Sequence, residues 1–405
     1  MLDGIECFDG LESVGEGAFS NCWRMLSVAL PVTVDEIGKR AFYNCKNVLG
    51  VSVPAHVDTI AHLFPSVYQT LPSVAIAEGE SELAAGFFSG CKMLQEIALS
   101  NAIQEIPDST FEGCSELLWV LVPSELVRIG NRAFYGCGKL TSMELSSKGG
   151  SAFSGRGHAN VFELSEKLTE IGDDAFNGLP KILNIVCPAS VKKIGARAFK
   201  GVWDDAEIKL PEGLESLGAD AFADCPSIRK VSLPVVETPI KSAFPAAYSK
   251  IETVKILGSP EVITKDFCRD VAKLAAIQIP ASVTSIESYA FSGLPNLAGI
   301  ELPSGLRTIG EYAFNGDSRL ATIALPQSVE SVGYRAFYGC SNVRSVSCSG
   351  ELATMSTLFP SAYTLITSAS INEGTTRLMS DLMSGCTNLS DVDLPAGITE
   401  IGARA

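Results

Sequence analysis

LPSGLRTIGEYAFNGDSRLATI, residues 302–323, is one copy of a pattern that recurs along the whole 405-residue chain. With the Phe of its Ala-Phe pair as a ruler, copies fall at Phe19, Phe42, Phe64, Phe88, Phe111 and Phe134. They resume at Phe176, Phe199, Phe222, Phe244, Phe267, Phe291, Phe314, Phe337 and Phe359, and Met383 takes the place in the last full copy. The spacing is 22 to 24 residues on either side of one irregular stretch, where Phe153 reads as a shortened turn of 19 residues and brings the count to 17. A fixed period of this length marks a repeat solenoid, in which no copy can bury its apolar face alone.

Each copy reads approximately L-P-x-x-V-x-x-I-G-x-x-A-F-x-G-C-x-x-L-x-x-V-x. Val120, Leu121 and Val122 alternate with the two-residue period of a strand buried on one face, and Pro123 ends it by withholding a ladder donor. A second short extended run turns Val and Ile inward and stops at glycine, as at Gly38, Gly130 and Gly310, where a bend with unusual dihedrals is expected. The x-x-A-F-x-G-C piece suits a single helical turn at a corner. A variant copy, F-P-x-x-Y, replaces the Gly-Cys corner at Phe64 to Tyr68, Phe244 to Tyr248 and Phe359 to Tyr363.

Segments such as Ile129 to Cys137 (I-G-N-R-A-F-Y-G-C) and Val332 to Cys340 (V-G-Y-R-A-F-Y-G-C) closely resemble the BspA-like leucine-rich repeats of bacterial and protist cell-surface proteins. The resemblance covers essentially the whole chain. It implies a leucine-rich-repeat solenoid of parallel β-strands with short helical turns at the corners, a right-handed curved array of about 17 turns. It also implies a cell-surface or secreted protein that binds protein ligands, such as extracellular matrix or host surface proteins, with no catalytic residues and no cofactor. The expected organisation is repeats over 1–145, an irregular insert or shortened repeat over 146–160, and repeats over 161–405. No polar capping unit is recognisable at either end, so the sequence reads as a fragment of a longer array.

Composition agrees with a folded chain and narrows its partners. Apolar residues make up 46%, and 31 Lys and Arg against 46 Asp and Glu leave a net charge of −15. Such a chain repels phosphate backbones and anionic lipid headgroups, so nucleic acid and direct membrane insertion are poor expectations.

Twelve cysteines invite a metal or disulfide reading, but their register points to core filler. Cys22, Cys45, Cys91, Cys114, Cys137, Cys225, Cys340 and Cys386 lie three residues after the ruler, where Leu179 and Leu294 substitute. Cys7, Cys187 and Cys348 occupy a strand position that is usually Leu, and Cys268 falls off the pattern. With no C-x-x-C pair and no zinc-ligand spacing to histidine, a free-thiol ladder at a small apolar site is the expectation. Catalytic signatures are missing, and the close group of His56, Asp58 and His62 reads as solvated surface on a repeat edge.

Candidate contacts therefore come from the outward positions of the strand, five and seven residues after the Cys site. Most side chains there are small or acidic, and the candidates are Glu96, Glu144, Glu207, Lys209, Lys230, Glu301, Asp391 and Asp393. Trp119 and Leu121 are the large apolar exception: either an exposed anchor for a protein partner or a pair packed on neighbouring side chains. The insert adds Arg156 and His158, in a Gly- and Ser-rich stretch that is either a ligand-contacting loop or a lesion in the repeat. Two functions stay open, an extracellular adhesion module and an intracellular structural or scaffolding array whose thiols suit a reducing compartment.

Overall fold

Successive copies of the repeat stack as coils, most of them giving a longer strand, a shorter strand or both to parallel ladders. A computed structural model of the chain describes residues 4–7, 9–77, 79–146, 162–182 and 185–405. It divides into two compact units, Met1–Asp205 with Glu215–Cys225, and Ala206–Leu214 with Pro226–Ala405.

In the first unit, Gly4–Glu6, Ser27–Ala29, Gly50–Val53 and Ser73–Ile76 form one parallel sheet, and Glu96–Ala98, Trp119–Pro123 and Ser142–Ser146 another. The short strands Glu105–Ile106, Arg128–Ile129, Glu170–Ile171, Lys193–Ile194 and Ser216–Leu217 form a separate ladder. Partners keep one register: Ser27 lies opposite Gly50, and Gly50 opposite Ser73. In the second unit the long strands group as Glu207–Lys209, Lys230–Pro234 and Thr253–Leu257, and as Thr322–Ala324, Ser345–Cys348, Ser368–Ile371 and Asp391–Asp393. Val262–Ile263, Ser285–Ile286, Thr308–Ile309 and Ser331–Val332 pair as its short-strand ladder. Among the described residues no helix is long and apolar enough to cross a membrane.

Where a seventeenth turn is expected, the described coils on either side meet directly. Ile129 pairs directly with Ile171, and the Phe134 ring stacks on Phe176 at 5.7 Å. The described residues thus form about sixteen turns, and Phe153 lies outside them. A second register correction concerns Cys268. Its N–H donates to the Ala290 carbonyl at 2.7 Å, as Phe291 does to Ala313 and Phe314 to Ala336. Cys268 therefore takes the ruler position, with Phe267 in the place of Ala, and is not off the pattern.

The corners also differ from expectation. Among the described residues the helical turn appears only in the variant copies, as α1 (Ile60–Leu63), α2 (Ile240–Ala243) and α3 (Met355–Leu358), each ending at the Phe that precedes Pro. Ordinary corners are chains of tight turns with two left-handed residues, one two positions before the ruler Phe (Arg132, Arg197) and one two after it (Gly113, Gly136, Asn44). The Gly of x-G-C supplies that positive φ. The Gly that ends the short strand has another role: Gly38, Gly130 and Gly310 are not left-handed. A Cβ on Gly310 would lie 2.5 Å from the Ser288 amide nitrogen, so close approach of the preceding coil, not a bend, demands glycine.

Inside each coil, ruler rings stack on their neighbours, as Phe88 on Phe111 at 4.9 Å and Phe314 on Phe337 at 5.1 Å. Beside them the thiols donate to the Phe carbonyl of the preceding coil, Cys114 to Phe88 and Cys340 to Phe314, both at 3.1 Å. That weak donor explains why a small polarisable residue recurs there. All twelve cysteines are free thiols, and nine of them are buried.

Candidate protein-interaction surface

Alternation along the long strands turns Ile97, Val120 and Met143 into the core and leaves the residues between them on the outer face. Glu96, Glu207, Lys209, Lys230, Glu301, Asp391 and Asp393 are exposed there, while Leu121 and Glu144 are half-buried. Register aligns these side chains into rows. Glu207 lies opposite Lys230, and Lys209 leads through Ser232 to Lys255, a locally basic row on an acidic chain. Farther along, Asp391 accepts a hydrogen bond from Ser368 at 3.3 Å, and Asp393 one from Ser370 at 3.5 Å.

Trp119 does not join this surface as an exposed anchor. It sits in the outward register between Glu96 and Ser142, yet it is only 6% exposed, and Ser142 beside it is fully buried. Register fixes the direction of a side chain, not whether the space beyond it is open to water. Of the two readings the sequence left open, its burial matches packing on neighbours. Arg156 and His158 lie outside the described residues.

The histidine group separates into two pairs. His62 Nδ1 meets Asp58 Oδ1 at 2.9 Å on the surface. His56 instead meets Glu80 Oε2 at 2.8 Å, and Glu80 also accepts the N–H groups of Ala55 at 2.7 Å, Ser81 at 3.2 Å and Glu82 at 3.3 Å. Burial pushes the Glu80 carboxyl up, but the hydrogen bonds from His56, Ala55 and Glu82 outweigh it and hold it below the usual range. A carboxylate with this many donors fastens one coil to the next.

A second exposed group, in the second unit, is absent from the candidates that the sequence suggests. Tyr289 and Tyr312 stack on successive corners with centroids 5.0 Å apart, and Tyr334 meets Tyr312 edge-on at 5.8 Å. Arg269 lies 4.6 Å over Tyr289, and Arg335 lies 5.0 Å from Tyr334 and 4.8 Å from Tyr338. Tyr334 and Tyr338 are 61% and 42% exposed. The signal is present in Y-R-A-F-Y-G-C, but along a single copy the residues flanking the ruler are only spacers between core positions.

A sequence model described as the BspA type leucine rich repeat region matches six overlapping copies, over residues 1–79, 51–149, 81–202, 169–298, 261–369 and 356–405. Among solved structures, a leucine-rich repeat protein from Bacteroides ovatus is 24% identical, with a TM-score of 0.53 over 85% of this chain and 89% of that one. A leucine rich cell surface protein from Faecalibacterium prausnitzii is 20% identical over 96% of this chain and 86% of its own, with a TM-score of 0.29. A leucine-rich repeat protein from Eubacterium ventriosum is 19% identical over 83% of this chain and 82% of its own, with a TM-score of 0.35. No curated protein matches the chain. The Bacteroides structure supports the fold.

Proposed function

The chain belongs to the BspA-type leucine-rich repeat family, and from that premise we propose that it is an adhesion module of a cell-surface or secreted protein. It works by binding, not catalysis, and its ligands are proteins of a host, a neighbouring cell or the extracellular matrix. One observation carries this reading: the outward side chains of adjacent strands lie in register and exposed, as Glu207 beside Lys230. A ribbon of ordered side chains repeated at strand spacing can be read by an extended protein surface, and small residues between the charges cost little entropy to order.

The intracellular scaffold reading rests on the free thiols. Their burial weakens it: Cys91, Cys137 and Cys348 are each pushed up to about 12 by burial. A thiol that rarely ionises is a poor target for oxidation, so the ladder is compatible with an oxidising exterior.

Two measurements test the proposal. Protease applied to intact producing cells should digest the protein; full protection would instead support the intracellular scaffold. Labelled protein should bind matrix films or host cells, and pretreating those surfaces with protease should remove the binding. Binding that survives such treatment would overturn protein recognition.

A further inference from the structure

Four corners of the second unit build the ribbon Arg269, Tyr289, Tyr312, Tyr334, Arg335 and Tyr338. The ring faces of Tyr289 and Tyr312 are occupied by each other and by Arg269, which leaves phenol edges and hydroxyls as the accessible parts. An aromatic edge carries the positive end of the ring quadrupole, and a phenol O–H is a donor. Both favour a partner rich in acceptors.

Arg335 sharpens that preference. Three of the four other arginines at the same corner position take a carboxylate from the preceding coil: Arg132 pairs with Glu112, Arg197 with Asp174 and Arg404 with Asp381, while Arg40 lies over the Tyr43 ring. For Arg335 the residue in the place of Asp174 and Asp381 is Tyr312, and the groups acting on it are the tyrosines Tyr312, Tyr334 and Tyr338. It is exposed and has no carboxylate partner among the described residues. Arg and Tyr are also the residue types that dominate interface hot spots.

We propose that this ribbon docks an acidic segment of a protein partner, which supplies to Arg335 the carboxylate that Arg132, Arg197 and Arg404 find within the chain. Tyr334 and Tyr338 flank that ion pair, exclude water from it and donate to neighbouring acceptors. The inference rests on the protein-binding reading and assigns it one place and one ligand chemistry.

The test selects a random dodecapeptide library displayed on phage against the whole chain, then measures the leading synthetic peptide by fluorescence anisotropy. Enriched peptides should be rich in Asp and Glu. Their affinity should fall at least tenfold in Arg335→Gln and in Tyr334→Ala, recover partly in Arg335→Lys, and stay unchanged on Lys92→Gln, at an exposed lysine of the first unit. Since Arg335 and Tyr334 are exposed, the variants should unfold at the wild-type midpoint. Enriched peptides without acidic bias, acidic peptides indifferent to Arg335→Gln, or no enrichment at all would each overturn the assignment. A sulfated oligosaccharide that binds through Arg335 more tightly than any peptide would overturn it in favour of a glycan. Protease-sensitive binding to matrix that is indifferent to Arg335→Gln would leave the broader reading standing while this one falls.

Discussion

Asp317 accepts a 2.8 Å hydrogen bond at Oδ1 from the backbone N–H of Leu294, one coil earlier, at a corner position that eight other coils give to cysteine. Its side chain is fully buried, and Oδ2 has no hydrogen-bond partner among the described residues. A carboxylate there lacks the donors that hold Glu80 ionised. Burial pushes the Asp317 carboxyl up to about 8, the lone N–H of Leu294 opposing it.

A pH dependence follows with a definite sign. A carboxyl raised on folding binds its proton more tightly in the folded state, so stability is full below the ordinary carboxylate range and is lost as pH climbs to about 8. Each unit of pH in that window costs about 1.4 kcal/mol at most, and the whole window on the order of 6 kcal/mol. The urea midpoint of the second unit should therefore fall between about pH 4.5 and about pH 8.5. Asp317→Cys, which restores the residue of the other coils, should flatten the profile and raise the midpoint at the alkaline end. Equal slopes in both proteins would show that Asp317 does not titrate in this window.

The thiols should divide into two classes. Cys7, Cys22 and Cys386 are only partly buried, whereas the other nine are closed off, and Cys187 is pushed up to about 12 by burial. A thiol reagent should titrate three groups in native protein and nine more only on unfolding. Intact mass should be the same before and after reduction. Twelve fast thiols, or a mass gain on reduction, would contradict the ladder.

The two glycines of each corner should respond oppositely to substitution. A Cβ on Gly195 would lie 2.5 Å from the Asp173 amide nitrogen, so Gly195→Ala must push two coils apart. Overpacking against backbone of this kind costs about 1–3 kcal/mol. Gly113 has φ +73°, and a Cβ added there would meet nothing within 4 Å; Asn44 occupies the same corner position with φ 60°. Gly113→Asn should thus cost less than about 1 kcal/mol, since Asn tolerates the left-handed region. Thermal unfolding of the two variants side by side checks the contrast.

Periodicity makes the coil, its two strands and its Phe and Cys ladders legible, because every copy repeats the same inward positions. Three features escape it because they depend on what the neighbouring coil presents. The close-approach role of Gly310 depends on the Ser288 backbone, which no single copy reveals. Cys268 looks misplaced in sequence because Phe267 sits one residue from the ruler; only its pairing with Ala290 shows the register. The tyrosine ribbon needs Tyr289, Tyr312 and Tyr334 to be read down the stack and not along the chain. Asp317 stands in plain view at the cysteine site, but one copy in an otherwise apolar column carries little weight until its burial is known.

Trp119 gives the most direct check on the difference between outward register and exposure. Placed opposite Glu96 and Ser142 but only 6% exposed, its indole behaves as core. Trp119→Ala should then destabilise the first unit by about 3–5 kcal/mol, the usual cost of deleting a large buried aromatic. Phe134→Ala should cost a similar amount, since that ring stacks on Phe111 at 5.1 Å and on Phe176 at 5.7 Å. Fluorescence separates the possibilities without a ligand. The chain has three tryptophans, of which Trp23 is 63% exposed while Trp119 and Trp203 are 6% and 3%. In Trp23→Phe the remaining emission should be blue-shifted and nearly immune to acrylamide, and it should become quenchable on unfolding. Strong quenching in the native Trp23→Phe protein, together with a Trp119→Ala midpoint equal to wild type, would return Trp119 to the solvent-facing surface and reopen it as an anchor for partners.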